Sequence, residues 1–249
     1  MNKHTMKSAA LTLALLCGAA SAGAAELTLL ISNAMITVVQ DLAPRFEAAS
    51  GHKLAITYGS TNPLKARIEK GDAFDLTILS EGAIDDLVKQ GKLAAPTRTL
   101  VARSGLGLAI RKGAPKPDIR TTEGFKRTLL DAKSIAYLED GLTGTYLRVL
   151  FQRMEITDSM KSRYKNARGA EAVSKGEAEL GVTQMSEILH QTGAELAGPL
   201  PAEIQHYSNF ASAISAGTKQ PDAARALLKY FTSPDAVRVI RASGLEPPG

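Results

Sequence analysis

Between Leu27 and Gly91 the sequence writes one unit three times: a short apolar run of strand length, a turn of small polar residues, and a segment with helical spacing that stops at glycine. The runs are Leu27–Ile31, Leu54–Tyr58 and Asp75–Leu79. The helical segments pass through Val38, Val39, Leu42 and Phe46 to Gly51, from Pro63 through Leu64 and Ile68 to Gly71, and through Ile84, Leu87 and Val88 to Gly91. Continuous apolar strands alternating with helices of this length predict a parallel sheet covered by helices. Ligands in such sheets sit beyond the carboxyl ends of the strands, where Ser32, Ser60 and Ser80 fall.

The stretch Tyr58–Arg67 carries the clearest functional signal. A helix start leaves unpaired N–H groups and the positive end of the macrodipole. Gly59 permits a tight turn, Ser60, Thr61 and Asn62 add short donors, and Pro63 suits the first helical turn. This is a place to hold an anion. A plain capped helix would use the same residue types, so the device has to recur to mean more. It does: Ser134–Leu138 reads as a strand, Asp140–Tyr146 as a second turn rich in glycine and hydroxyls, and Leu147, Leu150 and Phe151 as the next helix.

Around these units, Leu106–Ile110 is apolar and 112–118 is a turn-rich connector, followed by a helix from Thr121 or Thr122 through Phe125 and Leu129. Tyr164–Gly169 is short, Ala172 and Val173 lie on a helix, and Glu179–Thr183 is a strand ending in Gln184. The run from Ile204 to Ser215 reads as a returning strand, with helices over Gln220–Phe231 and Pro234–Ala242. No solenoid repeat or low-complexity tract is present.

Residues 1–22 read as a secretory signal peptide: Lys3 and Lys7 precede the apolar run Ala9–Leu16, and Ala20-Ser21-Ala22 fits the cleavage pattern, with Ala24 as the second choice of site. The run is too short to span a bilayer. The one cysteine, Cys17, lies inside it, behind a bulky Leu16 that suits lipid attachment poorly. Without Lys3 and Lys7, 28 of the 30 basic residues face 25 acids, a net charge of about +3. Scattered basic residues and 5% aromatics with no Trp argue against nucleic-acid binding. His52, His190 and His206 are widely spaced, so no metal or other cofactor is expected, and no H-E-x-x-H or G-x-S-x-G motif occurs. The protein is expected to be periplasmic, not membrane-embedded, and a monomer.

The order of elements resembles the periplasmic molybdate-binding protein family, solute-binding proteins that feed ABC importers. The likeness rests on Gln40-Asp41-Leu42 with Phe46 and Gly51, on Gly59-Ser60-Thr61 before Leu64–Gly71, on Phe74–Ile78, on Thr143–Tyr146 and on Leu180-Gly181-Val182. It implies an α/β fold of the periplasmic-binding-protein type II: two α/β lobes joined by a two-strand hinge, closing on one anion. Lobe 1 is then 26–105 with 206–249, and lobe 2 is 106–205. Ala34 stands where the family has its first binding serine, Thr61 at its second, Thr143 and Asn166 near its backbone donors, and Gln184 at its tyrosine. Arg168 adds a fixed charge whose fork suits a carboxylate, although a solvated arginine at a helix start is the plain alternative. The expected ligand is therefore an organic di- or tricarboxylate rather than molybdate. Its expected contacts are Ser32, Asn33, Ser60, Thr61, Asn62, Thr143, Gly144, Thr145, Asn166, Arg168 and Gln184.

Proteins that resemble this family with altered ligands include an aconitate isomerase, which makes catalysis the alternative. Proton transfer needs a base, and Tyr146, Glu139, Asp140 and Glu81 are the candidates near the expected cleft. Loop acids are ordinarily just solvated, and Asp140 could do no more than shape its turn. Molybdate or tungstate capture for an importer is the second alternative, and an extracytoplasmic sensor module a third.

Overall fold

The computed structural model describes residues 23–248. The proposed signal peptide, with Cys17 and Ala22, lies outside them. Among the described residues, nine strands form one continuous sheet. The first three alternate with helices as the sequence predicts: β1 (Glu26–Ser32), α1 (Ile36–Ser50), β2 (Lys53–Gly59), α2 (Thr61–Lys70), β3 (Leu76–Ser80) and α3 (Glu81–Lys89). β1 pairs in parallel with both β2 and β3. α1 and α2 end against Gly51 and Gly71, whose φ values of 76° and 100° are left-handed, a conformation glycine adopts without a Cβ penalty.

β4 (Thr99–Arg111) is a single strand of 13 residues, much longer than its apolar centre at 106–110 suggested. Beyond it come α4 (Thr122–Asp131), β5 (Ile135–Tyr137), α5 (Leu142–Arg153), α6 (Thr157–Lys161), β6 (Tyr164–Asn166), α7 (Gly169–Lys175), β7 (Leu180–Gln184), α8 (Met185–Leu189) and β8 (Ala194–Pro199). β9 (Tyr207–Ile214), α9 (Pro221–Phe231) and α10 (Pro234–Ala242) follow. The sheet order is β2-β1-β3-β9-β4-β7-β5-β6, with β8 also paired to β4.

β4 changes partners along its length. Thr99–Gly105 pairs antiparallel with β9, and Leu106–Ile110 pairs antiparallel with β7. The apolar packing divides at the same place. One group gathers Leu27, Leu29, Ile31, Met35, Phe210 and Phe231, with a satellite around Leu64 and Ile84. Another gathers Leu106, Leu108, Phe125, Leu147 and Val182, with a satellite around Ala170 and Ile188. Phe125, Phe210 and Phe231 are fully buried, and a side chain of that size contributes about 1.5–3 kcal/mol by leaving water. Among the described residues, no helix is long and apolar enough to cross a membrane.

α5 starts at Leu142, so Thr143, Gly144, Thr145 and Tyr146 form its first turns instead of a preceding loop. Gly144 permits this start. A Cβ there would lie 2.3 Å from the Leu138 carbonyl oxygen and 2.5 Å from that of Glu139, so only glycine lets the helix sit against the end of β5.

Candidate functional site

A cleft opens where the carboxyl ends of β1, β2, β5 and β7 face one another. It is lined by Ser32, Asn33, Ala34, Ser60, Thr61 and Phe210 from one packed half and by Leu138, Gly141, Leu142, Thr143, Arg168, Gly169, Thr183, Gln184 and Glu187 from the other. Its free space is about 430 Å³, part of it continuous with solvent. The rims touch: Asn62 Nδ2 donates to the Asp140 carbonyl at 2.6 Å, and the buried Ser186 hydroxyl donates to the Ala34 carbonyl at 3.0 Å.

The helix starts facing this cleft are not capped by their own side chains. Ser60 precedes α2, Gly141 precedes α5 and Ser32 precedes the 3₁₀ turn leading to α1, all without a side-chain cap. Hydroxyls of the same kind cap two other helices, although Ser80 before α3, outside the cleft, makes no cap either. Thr121 accepts from Gly124 N–H at the start of α4, and Ser233 from Ala236 N–H at the start of α10. At α2 and α5, the unpaired N–H groups and the dipole therefore remain available to an anion.

Seven residues expected to bind a ligand line the cleft: Ser32, Asn33, Ser60, Thr61, Thr143, Arg168 and Gln184. Ser32, Thr61, Thr143 and Gln184 are buried, and the Thr61 hydroxyl accepts from Ser80 N–H at 3.3 Å. Four other residues in that set lie outside it. Asn62 bridges to Asp140, Thr145 donates its hydroxyl to the Gly141 carbonyl at 3.0 Å, and the exposed Asn166 accepts from Glu139 N–H through Oδ1 at 3.2 Å. Gly144 is a packing residue behind the wall.

The four candidate bases lie outside it too. Glu81 bonds Arg98 at 2.5 Å and Asn209 Nδ2 at 2.9 Å, and those two contacts, Asn209 first, hold its carboxyl below the ordinary range. Tyr146 donates its hydroxyl to the Ile204 carbonyl at 2.6 Å and stacks on His206, and burial pushes its pKa up. Glu139 is exposed and reaches Tyr164 Oη at 3.4 Å, while Asp140 is exposed and contributes its backbone carbonyl to Asn62.

The residue that sequence reasoning missed is Glu187, on the five-residue α8. Its carboxylate accepts a hydrogen bond from the buried Thr183 hydroxyl. Burial raises its pKa, opposed by that bond and by the positive charge of Arg168. Arg168 stands at the start of α7, half-buried, with Nη1 3.3 Å from Glu171. Among the lining residues, Arg168 and Glu187 are the two that carry charge.

A carboxyl with a raised pKa keeps its proton in the folded state at pH values where the unfolded chain has lost it. Stability therefore falls as pH rises from the ordinary Glu range through the raised value. Glu187→Gln, neutral throughout, is expected to raise Tm at pH 8 and to leave it unchanged at pH 4. An equal shift at both pH values would contradict that assignment.

Gln184 holds a second clue. Its Nε2 donates to Ser208 Oγ at 3.1 Å, and its buried Oε1 has no partner among the described residues. Turning the amide over lets Oε1 accept the Ser208 hydroxyl proton and leaves Nε2 as a free donor on a residue that lines the cleft. An anion would select that orientation.

The chain matches the model of a bacterial extracellular solute-binding protein family over residues 27–246. It is 37% identical over 230 residues to a protein from Pseudomonas sp named aconitate isomerase, covering 89% of this chain and 87% of that one. It is 26% identical over 236 residues to the molybdate-binding protein ModA of Azotobacter vinelandii, covering 91% and 92%. The solved structure of a periplasmic molybdate-binding protein from Azotobacter vinelandii superposes with a TM-score of 0.73 at 21% identity, covering 90% of this chain and all of that one. The fold is that of the type II periplasmic binding proteins.

Proposed function

The chain belongs to the bacterial extracellular solute-binding protein family, of the molybdate-binding type, and on that premise we propose that its cleft captures a small organic di- or tricarboxylate. The observation that carries this reading is the convergence of uncapped helix starts and neutral hydroxyls on one cleft whose single fixed positive charge is Arg168. Neutral donors solvate carboxylates in place of water, and the guanidinium fork grips one of them in bidentate fashion. Ala34 and Gln184 line the cleft, and on the resemblance described above they take the places of a serine and a tyrosine, so a tetrahedral metal oxyanion would lose two hydroxyl contacts.

Export to the periplasm, with residues 1–22 as the leader, fits this reading. In an importer, the halves flanking β4 and β9 would close on the ligand and a membrane permease would read the closed form. A second reading is favoured by a specific observation. The relative at 37% identity is named for a reaction of aconitate, and Glu187 adds an acidic group to the wall of the cleft, where it is available for proton transfer. Turnover of aconitate is then the activity, with binding as its first step.

Thermal denaturation of the purified chain with citrate, tricarballylate, cis- and trans-aconitate, succinate, phosphate, molybdate and tungstate tests the ligand class. The tricarboxylates are expected to raise Tm most, because a ligand that binds only the folded state stabilises it by mass action. Stabilisation by molybdate or tungstate alone would refute the carboxylate reading. Ultraviolet absorbance of cis- and trans-aconitate, followed with and without protein, decides between capture and turnover.

A further inference from the structure

We propose that Glu187 is the catalytic base of a proton shift in this cleft, moving the double bond of an unsaturated tricarboxylate between its two allylic positions. The inference rests on the carboxylate-binding reading above and assigns the chemistry to one group. Glu187 projects from α8, the short helix that directly follows β7, so its carboxyl shares the cleft wall with Thr183 and Gln184. The charged group that acts on it is Arg168, at the start of α7, which itself pairs with Glu171. A polycarboxylate drawn to Arg168 and the helix starts therefore meets one acid, and it meets it inside the site.

Against a metal oxyanion Glu187 is useful only as a protonated donor, because once ionised it faces nothing but negatively charged acceptors. It is an asset against a carbon acid. The methylene of an unsaturated tricarboxylate is flanked by a carboxylate and by the double bond, so its C–H can face Glu187 while the carboxylates face Arg168 and the hydroxyls. The ionised Glu187 takes the methylene proton: the C–H bond breaks, an O–H bond forms on the carboxyl, and the electron pair spreads over the allylic carbons and the adjacent carboxylates. The former single bond to the central carbon gains double-bond character, and the way its carboxylate arm is held as the proton leaves sets the geometry of the new alkene. The carboxyl then returns the proton to the former vinylic carbon, which closes the new double bond and restores the ionised base. No oxidant, reductant or cofactor enters the balance. Arg168 stabilises the charge as it develops, and the Thr183 hydroxyl orients the base. A carboxyl that releases its proton above the usual carboxylate range is also the stronger base once ionised.

The test uses the full chain with cis- and trans-aconitate as substrates and tricarballylate, the saturated tricarboxylate, as a binding probe. The parent is expected to interconvert the two isomers and to exchange methylene protons with D₂O. Its kcat/KM is expected to rise with pH through an acid limb above the ordinary Glu range. Glu187→Gln is expected to bind tricarballylate within a few-fold of the parent, while interconversion and exchange fall at least ~100-fold and the acid limb disappears. Glu187→Asp, which withdraws the carboxyl by one methylene, is expected to bind and to retain slow exchange, and it serves should the amide variant fail to fold. The proposal is overturned if Glu187→Gln binds and still exchanges at the parent's rate, or if the parent binds tricarballylate but neither exchanges nor interconverts. Absence of any tricarboxylate binding by the parent would instead overturn the reading beneath it.

Discussion

Arg168→Ala is expected to weaken tricarboxylate binding roughly 30- to 150-fold, about 2–3 kcal/mol, with little change in thermal stability. The guanidinium is the one fixed positive charge among the residues that line the cleft, and no neighbouring cation can take its place there. The figure is at the low end for a charge-assisted contact because Arg168 is half-buried and solvent screens part of its field. Its link to the fold is a partly exposed ion pair with Glu171, which contributes no more than about 1 kcal/mol. Arg168→Lys is expected to recover only part of the loss, since an ammonium keeps the charge but lacks the fork. Titration calorimetry reads both variants. Unchanged affinity in Arg168→Ala would place the anion elsewhere.

Gly144→Ala is expected to destabilise the fold by about 3 kcal/mol, the upper end for overpacking, which lowers Tm by roughly 6–12 °C for a domain of this size. The new methyl would meet two backbone carbonyl oxygens, of Leu138 and Glu139, at 2.3 and 2.5 Å, and neither can swing away as a side chain could. Relief requires α5 to move off the end of β5, and that helix carries Thr143 and the uncapped N–H groups behind Gly141 into the cleft. Ligand affinity is therefore expected to fall together with Tm. Gly51→Ala provides the contrast: open space surrounds that position, and its cost comes from the left-handed backbone alone.

The parallel part of the sheet was legible because β1, β2 and β3 are continuous apolar runs and their helices stop at glycines that adopt positive φ. The first-half wall of the cleft was legible for the same reason, since Ser32 ends β1 and Ser60 and Thr61 directly follow β2. α8 and β8 were not. A helix of five residues shows little more than one turn of periodicity, and Ala194–Pro199 mixes glycine and proline into a short strand paired only at its β4 side. Glu187 stands on α8 and shares its illegibility. The acids and the tyrosine beside the recognisable turns lie outside the cleft lining, with Glu81 bonded to Arg98 and Asn209 and Tyr146 to Ile204. Proximity in sequence to a glycine-rich turn says which residues begin a helix. It does not say which side chains a distant strand and a short helix will bring opposite them.

Gly59 shows a finer limit. Its sequence context suggested a tight turn, whereas it is the last residue of β2, where a Cβ would press on Leu64 at 3.0 Å. Glycine there lets α2 pack closely over the strand end, and the turn itself begins one residue later at Ser60. That close approach aims the start of α2 at the cleft.

Titration calorimetry of the full chain with tricarballylate and with molybdate, at low and at high salt, tests the cleft as a carboxylate site most directly. One tricarballylate is expected per chain, bound more tightly than molybdate and more weakly as salt screens Arg168. Tighter binding of molybdate, or no heat with tricarballylate at either salt, would contradict it.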